Sequence, residues 1–360
     1  MKINIKNIRI KSICVTLFIS IFLSCNSGVI EELEKKNTFF DSLVKIGHVF
    51  QEMFGSFGNS IGDALGFSAV KSDDTRDKIG KHFEKVGEGL KNTKTKLEEL
   101  SKQIVSTSHA DTKEVEAVIS TASEMLTKLI DSVAKIAEVT KQAGEIVAIE
   151  TGGGNAVGAH KESVDVILKE VKEIIETAKE FGINIEKGNP GNLVEKGDDK
   201  AGAALVGKNT NAQKPDAKAG PLLADEVSKA DPWAMIDKIQ NANTSTASLS
   251  ENNNNEAGAL ATRVPGGANQ NGAKTNADLA AAVALKAMTK GGKFAANNSA
   301  EEAGAVKAAA ANAVNKVLGI LDVIIIKTVI KNLEKVREVV KKIEYSETTG
   351  TGTTEANPAK

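Results

Sequence analysis

The sequence predicts an all-α protein, on three observations. Apolar residues recur every three, four or seven positions over long stretches near both ends of the chain, the spacing that lines one face of a helix. Ala, Lys, Glu and Val are abundant while aromatic residues make up only 4%, a mix that favours helix over sheet. The one apolar run suited to a buried strand, Val323–Ile326, sits inside a helical register that continues on both sides. Helix prevails there too.

The first helix is expected from Val29 to Phe57, through Leu33, Phe40, Leu43, Val44, Phe50 and Phe54, before Gly55, Gly58, Gly62 and Gly66 interrupt it. A second starts near the cap signal Ser72-Asp73 and carries Ile79, Phe83, Val86, Leu90, Leu97, Leu100 and Ile104, with Thr93 filling a missed turn. Thr107–Asp111 then reverses the chain. A third runs from Val115 through Ile119, Met125, Leu129, Val133, Ile136 and Ala143 to Val147. It ends at Gly152-Gly153-Gly154, where each glycine costs about 1 kcal/mol of helix stability. The fourth carries Val164, Ile167, Val171, Ile174, Ala178 and Phe181 and stops at Gly182.

From Gly182 to about Ser299 the composition shifts to Gly, Asn, Ala and Lys. This region reads as loop with one short helix as far as Gly220. Pro221–Asn241 is expected to be helical, kinked or restarted at Asp231-Pro232. Asn241–Thr275 is a polar loop, Asn276–Lys290 an Ala-rich helix, and Gly291-Gly292 a loop again. A last helix of some thirty residues spans Val314–Ile343. Residues 346–360 are polar and expected to be disordered.

Lys2, Lys6, Arg9 and Lys11 precede an uncharged, mostly apolar run, Ile13–Leu23. That run is too short to span a bilayer and suits the core of a signal peptide. Ser24 and Cys25 follow. The order basic, apolar, small, Cys resembles a bacterial lipoprotein signal, although Phe22, with Leu23 beside it, stands where that motif places Leu three before the Cys. Residues 1–24 are the expected signal peptide and Cys25 the expected lipid attachment site, with an ordinary secretory signal as the alternative. Two or more acyl chains, at about 0.8 kcal/mol per buried methylene, hold a protein on a membrane.

Processing would also remove Cys14, so the remainder would hold no thiol pair for a disulfide or a metal. It takes four of the 46 basic side chains and none of the 47 acidic ones, leaving a chain acidic by five. Such a chain has no electrostatic reason to bind nucleic acid. With firm helices at both ends and a lipid at the N-terminus, the expected architecture is an elongated antiparallel helical bundle. Its N- and C-terminal helices would be membrane-proximal, and a loop-rich region, about 182–300, distal.

A search for reaction chemistry finds little. Gly202–Asn209 has P-loop spacing, but Asn209 stands where Ser or Thr is needed and no strand leads in. Gly152-Gly153-Gly154 with Gly158 also lacks a preceding strand and reads as a turn. His48, His82, His109 and His160 are scattered singly, and His48 is expected to pack beside the core. Carboxylates such as Glu31-Glu32 and Glu98-Glu99 are interleaved with Lys, as on solvated helix faces. No nucleophile has an identifiable base. The expectation is therefore no catalytic residue, no cofactor and no metal. Trp233, between Pro232 and Met235, is the first candidate for a binding surface, core anchoring being the other reading.

Longer blocks carry a resemblance. The lipoprotein signal, FFDSLVKIGHVFQEMFGSFGNSIGDALGF, DKIGKHFEKVGEGLKNTKTKLEELSKQI and NADLAAAVALKAMTKGGKFA together resemble the variable large proteins of relapsing-fever spirochaetes. They are also similar to the variable surface lipoprotein of Lyme spirochaetes. The resemblance implies a helical lipoprotein of the cell outer membrane, surface-exposed and exchanged by recombination, so that antibodies against one serotype miss the next. It places the lipid at Cys25 and brings no catalytic residue.

On this reading residues 25–345 form one helical domain, Asn276–Ala296 matches the family's constant internal block, and Leu279, Val283, Leu285 and Met288 suit burial there. The low-complexity stretches from Gly182 to Ser250 match the part that varies, as exposed loops without core contacts. Glu256-Ala257-Gly258-Ala259 and Glu302-Ala303-Gly304-Ala305 hint at shuffled repeats. Expected partners are the membrane, through the lipid, and host antibodies; a homo-oligomer is compatible with long helices bearing small residues. The alternative function is an adhesin or binder of complement regulators, with a host serum or matrix protein as partner.

Overall fold

The computed structural model describes residues 30–62, 66–141, 144–149 and 155–345. Cys25, the signal peptide 1–24, the tail 346–360 and the turn at Gly152-Gly153-Gly154 lie outside them. The described chain is all-α. Its ten helices are α1 (Ile30–Gly62), α2 (Asp77–Val105), α3 (Lys113–Thr140), α4 (Lys161–Glu180), α5 (Ala201–Val206), α6 (Ala219–Lys229), α7 (Pro232–Gln240), α8 (Ala257–Thr262), α9 (Asn276–Met288) and α10 (Ala300–Val340). No strand occurs among the described residues, only isolated bridges such as Val194–Ala273.

The chain divides into two compact units. Among the described residues, one comprises 30–58, Asn92–Glu124 and 331–345; the other comprises those of Asn59–Lys91 and Met125–Ile330. In the first, α1 buries Phe39, Ile46, Val49, Phe50, Met53 and Phe57. Of the positions read from sequence only Phe50 is among them, while Phe40, Leu43 and Phe54 are half-buried and Val44 is 51% exposed, so the buried face is rotated from the one the spacing suggested. Leu97, Leu100 and Ile104 of α2, Val115 and Ile119 of α3, and Leu333, Val336 and Val340 of α10 complete that core. Tyr345, just past α10, lies 5.7 Å from the Phe39 ring and 5.6 Å from the His109 ring. The first turns of α1 and the segment just past α10 thus meet, as expected of the N- and C-terminal helices. Glu52 and Lys96 pair at 3.3 Å on the surface, where such pairs contribute little.

The second unit is built around α9, which packs against α4, α6, α7 and α8. Val164, Ile167, Val171, Ile174 and Ile175 of α4 are wholly buried, as are Val314, Val317, Leu318, Leu321, Ile324 and Ile325 of α10. The chain between α6 and α7 restarts at Asp231, whose side chain accepts from Trp233 N at 2.9 Å with Pro232 in the first turn, the usual chemistry of a helix N-terminus.

Several boundaries differ from the sequence reading. α1 runs through Gly55 and Gly58 to Gly62, because two exposed glycines cost less than burying Phe50, Met53 and Phe57 returns. α2 starts at Asp77, not near Ser72, since Thr75 pairs with Glu145 instead. α3 stops at Thr140; Ile146 and Val147 are still fully buried, but in a non-helical segment where Ile146 N donates to Asp74 O at 3.2 Å. α10 begins at Ala300, well before Val314, and the polar stretch before α9 contains α8.

The largest departure is the low-complexity region. It is not a set of loops without core contacts: Val194, Ala201–Val206, Leu223, Val227 and Leu249 are all buried. Ala-Gly opens α5, α6 and α8, and in each the glycine sits where a Cβ would overlap a main-chain carbonyl, of Asn271, Glu302 and Asn243 respectively. The second Glu-Ala-Gly-Ala phrase differs. Gly304, in the second turn of α10, is exposed, and a Cβ added there would meet nothing within 4 Å.

One phrase therefore has two opposite sensitivities. Gly304→Ala should raise stability by up to about 1 kcal/mol through helix propensity alone, while Gly258→Ala should lower it by about 1–3 kcal/mol through overpacking. Urea unfolding midpoints of the two variants test the contrast.

Candidate functional site

The polar chemistry of this chain is concentrated around α9, and it faces inward. All 13 residues of α9 are buried. Six of them are alanine, which lets neighbouring backbone approach from every side and keeps helix propensity high. Its Leu279, Val283, Leu285 and Met288 are fully buried, as the sequence suggested.

A helix buried whole must satisfy its end groups without water. At the N-terminus Thr275 Oγ1 accepts from Asp278 N at 3.1 Å and donates to the Asp278 carboxylate at 2.7 Å, a reciprocal cap. Asn276 N donates to Asn192 O at 2.9 Å, and Ala277 N to Pro190 O at 3.0 Å. The Asn276 side chain accepts from Asn192 N at 2.8 Å and donates to Glu226. Asp278, 1% exposed, also pairs with Lys238 at 3.0 Å. At the C-terminus Thr289 Oγ1 donates to Leu285 O at 2.7 Å, and Arg76 Nε to Ala287 O at 3.1 Å. Burial lowers the pKa of Arg76.

Lys286 is the exceptional member. It is fully buried, its Nζ donates to Leu205 O at the end of α5 at 2.6 Å, and it lies 5.3 Å from the centre of the Phe294 ring. Burial pushes its ammonium down to about 7. A half-neutral amine at physiological pH has the protonation state of a nucleophilic lysine. Its full burial and its bond to a main-chain carbonyl make it a tie between α5 and α9.

Four further polar residues of α10 pin other segments to it. Asp322, wholly buried, accepts from Gly66 N at 2.7 Å and meets His82 Nε2 at 3.1 Å. One heptad earlier Asn315 exchanges bonds with the Val70 main chain, at 3.0 and 2.9 Å. Lys316 donates to the carbonyls of Val227, Ser228 and Ala230 at 2.7–2.9 Å, closing the C-terminus of α6. Its pKa is lowered by burial. Glu302 accepts from Gly220 N at 2.7 Å and from Lys218 N.

The residues singled out from sequence fall as follows. His48 is exposed rather than packed beside the core, because its position points away from the Ile46–Val49–Phe50 stripe. His82 is buried on Asp322, His109 lies against Tyr345, and His160 is exposed at the start of α4. Gly202–Asn209 begins as the buried helix α5, and Lys208 pairs with Asp216 at 2.6 Å; nothing there forms a phosphate loop. Trp233 is half-buried, with Lys327 Nζ 5.5 Å from its ring centre.

Glu98 and Glu99 lie at the surface near Lys94 and Lys96, as read; the side chains of Glu31 and Glu32 lie outside those described. Glu170 departs from the solvated pattern, being 2% exposed while pairing with Lys135 at 3.2 Å. A cleft of about 340 Å³ lies beside the start of α9, between Leu193, Lys200, Leu222, Glu226 and Asn276; burial raises the pKa of Glu226. Among the described residues no group of three or more acidic, His or Cys side chains is placed to hold a metal. None of the helices described is long and apolar enough to cross a membrane.

Fold and polar clusters together define a helical protein whose buried ionisable groups serve its own architecture. The chain belongs to the Borrelia lipoprotein family, whose model matches residues 50–340. It is 54% identical over 351 residues to Variable large protein 12 of Borrelia hermsii, covering 96% of this chain and 95% of that one. Variable large protein 14 of the same organism is 51% identical over 358 residues, covering 98% of each. The fold is similar to the crystal structure of the Lyme disease variable surface antigen VlsE of Borrelia burgdorferi, with a TM-score of 0.68 and 29% identity over 84% of this chain and 99% of that one.

Lys286 gives stability a pH dependence with a definite sign. Its folded value of about 7 lies below the ordinary lysine value of 10.5, so between these the unfolded chain holds a proton the folded one lacks. Stability should rise as pH increases through that window, and the full cost should be present below pH 7, on the order of 3–5 kcal/mol. Lys286→Met should remove this slope. Urea unfolding of both proteins across the window checks it; parallel curves would show that Lys286 does not titrate there.

Proposed function

We propose that this chain is a lipid-anchored surface antigen of the variable large protein class, displayed on the cell outer membrane and serving antigenic variation. The observation that carries the reading is near-full-length identity above 50% to two variable large proteins. The likeness of the fold to a variable surface antigen supports it. Cys25 receives the lipid after residues 1–24 are removed, and acyl chains hold the protein where no described helix spans the membrane. The mature chain, 25–345 with a polar tail, works without catalysis or cofactor. Its partners are the membrane and host antibodies.

Buried ionisable groups fit this role. Asp322, Glu302 and Lys286 are bonded to main chain and Asp278 to Lys238, which leaves the exposed side chains among residues 184–187 with little duty in the fold. Exposed positions of that kind accept substitution at small cost.

Cys25→Ser should abolish incorporation of labelled palmitate and move the protein from the detergent phase to the aqueous phase. Protease added to intact cells should digest the wild-type protein. Retention of label by the variant, or resistance of the wild type until cells are lysed, would overturn the anchored and surface-exposed parts of the reading respectively.

A further inference from the structure

We propose that Asn271-Gly272 is a deamidation site that the folded chain holds shut. It is the one Asn-Gly dipeptide in the 360 residues. Glycine, lacking a Cβ, lets its main-chain nitrogen reach the preceding side chain more freely than any other residue. In the reaction the Gly272 nitrogen loses its proton and attacks Cγ of Asn271. The bond from Cγ to the amide nitrogen breaks, ammonia leaves with the proton, and a five-membered succinimide forms. Water then opens the ring at either carbonyl, giving aspartate or isoaspartate. No oxidant, reductant or enzyme enters the balance.

The fold opposes each requirement of that attack. Asn271 is 1% exposed. Its Oδ1 accepts from Gly197 N at 2.9 Å and its Nδ2 donates to Gly197 O at 3.1 Å, so the side chain is fixed at both ends. The attacking nitrogen is itself engaged, Gly272 N donating to Asn252 O at 2.9 Å. The Asn271 carbonyl oxygen fills the space a Cβ on Gly202 would take, which blocks rotation of the peptide. Three hydrogen bonds must open before the ring can close.

Once formed, the product does not fit back. An aspartate oxygen in place of Nδ2 would face Gly197 O, acceptor against acceptor, in a buried site. Isoaspartate adds a methylene to the main chain and displaces both Asn271 O and Gly272 N. The same clasp holds Val194 to Ala273 at 3.0 and 3.1 Å and Lys196 N to Asn253 at 2.8 Å. Leu193, 54% exposed, and Glu195 ride on it. Deamidation therefore frees an outward segment, 192–197, in one direction only.

The test incubates the whole protein folded and in urea at mildly alkaline pH, with peptide mapping at residue 271 and isoaspartyl methyltransferase labelling. The unfolded chain should convert readily. The folded chain should convert about a hundredfold more slowly, three hydrogen bonds contributing somewhat under a decade each. Gly202→Ala, which crowds Asn271 O, should speed conversion in native buffer at least several-fold while helical circular dichroism persists. Amide exchange at Gly197 and Gly272 in the unaltered protein gives a check that needs no variant, since conversion must not outrun their opening. Equal rates folded and unfolded, conversion faster than opening, or a deamidated chain that keeps wild-type protease resistance at 192–197 would each overturn the proposal.

Discussion

Burying a whole helix is the constraint from which the larger unit follows. An ordinary amphipathic helix turns one face to water and lets solvent satisfy its ends. α9 has no wet face. Its amides and carbonyls must be met by protein, and the groups that meet them come from distant parts of the chain: Pro190 and Asn192 ahead of α5 and Arg76 ahead of α2, while Lys238 of α7 pairs with its buried Asp278 carboxylate. Each tie spans a long loop of sequence. The loops are ordered because the helix needs them.

The same device recurs wherever a short helix or irregular segment meets a long one. Glu302, Asn315, Lys316 and Asp322 of α10 are spent on main-chain amides and carbonyls of segments 218–220, 66–70 and 227–230. The Ala-Gly starts of α5, α6 and α8 work from the other side, offering a gap into which a carbonyl fits. Apolar area in this region is modest, since so many of its residues are Gly, Ala and Asn. Directed bonds to the backbone therefore decide which segment lies where.

The long helices were legible because their apolar positions repeat, and a period survives local exceptions such as Thr93 or Gly58. The pairing of the chain ends was legible too, and Tyr345 beside Phe39 realises it. What composition concealed was the order within 182–300. Asn and Gly read as loop formers, and so they are. Nothing in a run such as Asn252–Asn255 says that the Asn255 side chain will reach the carbonyls of Glu251 and Gly272. Lys286 left a fainter trace, a lone charge within an alanine-rich apolar run. His48 misled because it adjoins the buried stripe without belonging to it.

The chain contains a single tryptophan and a single tyrosine, and they fall in different units. Trp233 belongs to the unit built on α9 and carries the Lys327 ammonium against its indole. Tyr345 belongs to the unit of the chain ends and lies among Phe39, which it meets edge-on, His109 and Lys36. Nature has thus labelled each half with its own chromophore. Indole emission reports on one and phenol absorbance on the other, so the order in which the halves melt is readable by simple optical spectroscopy on unlabelled protein.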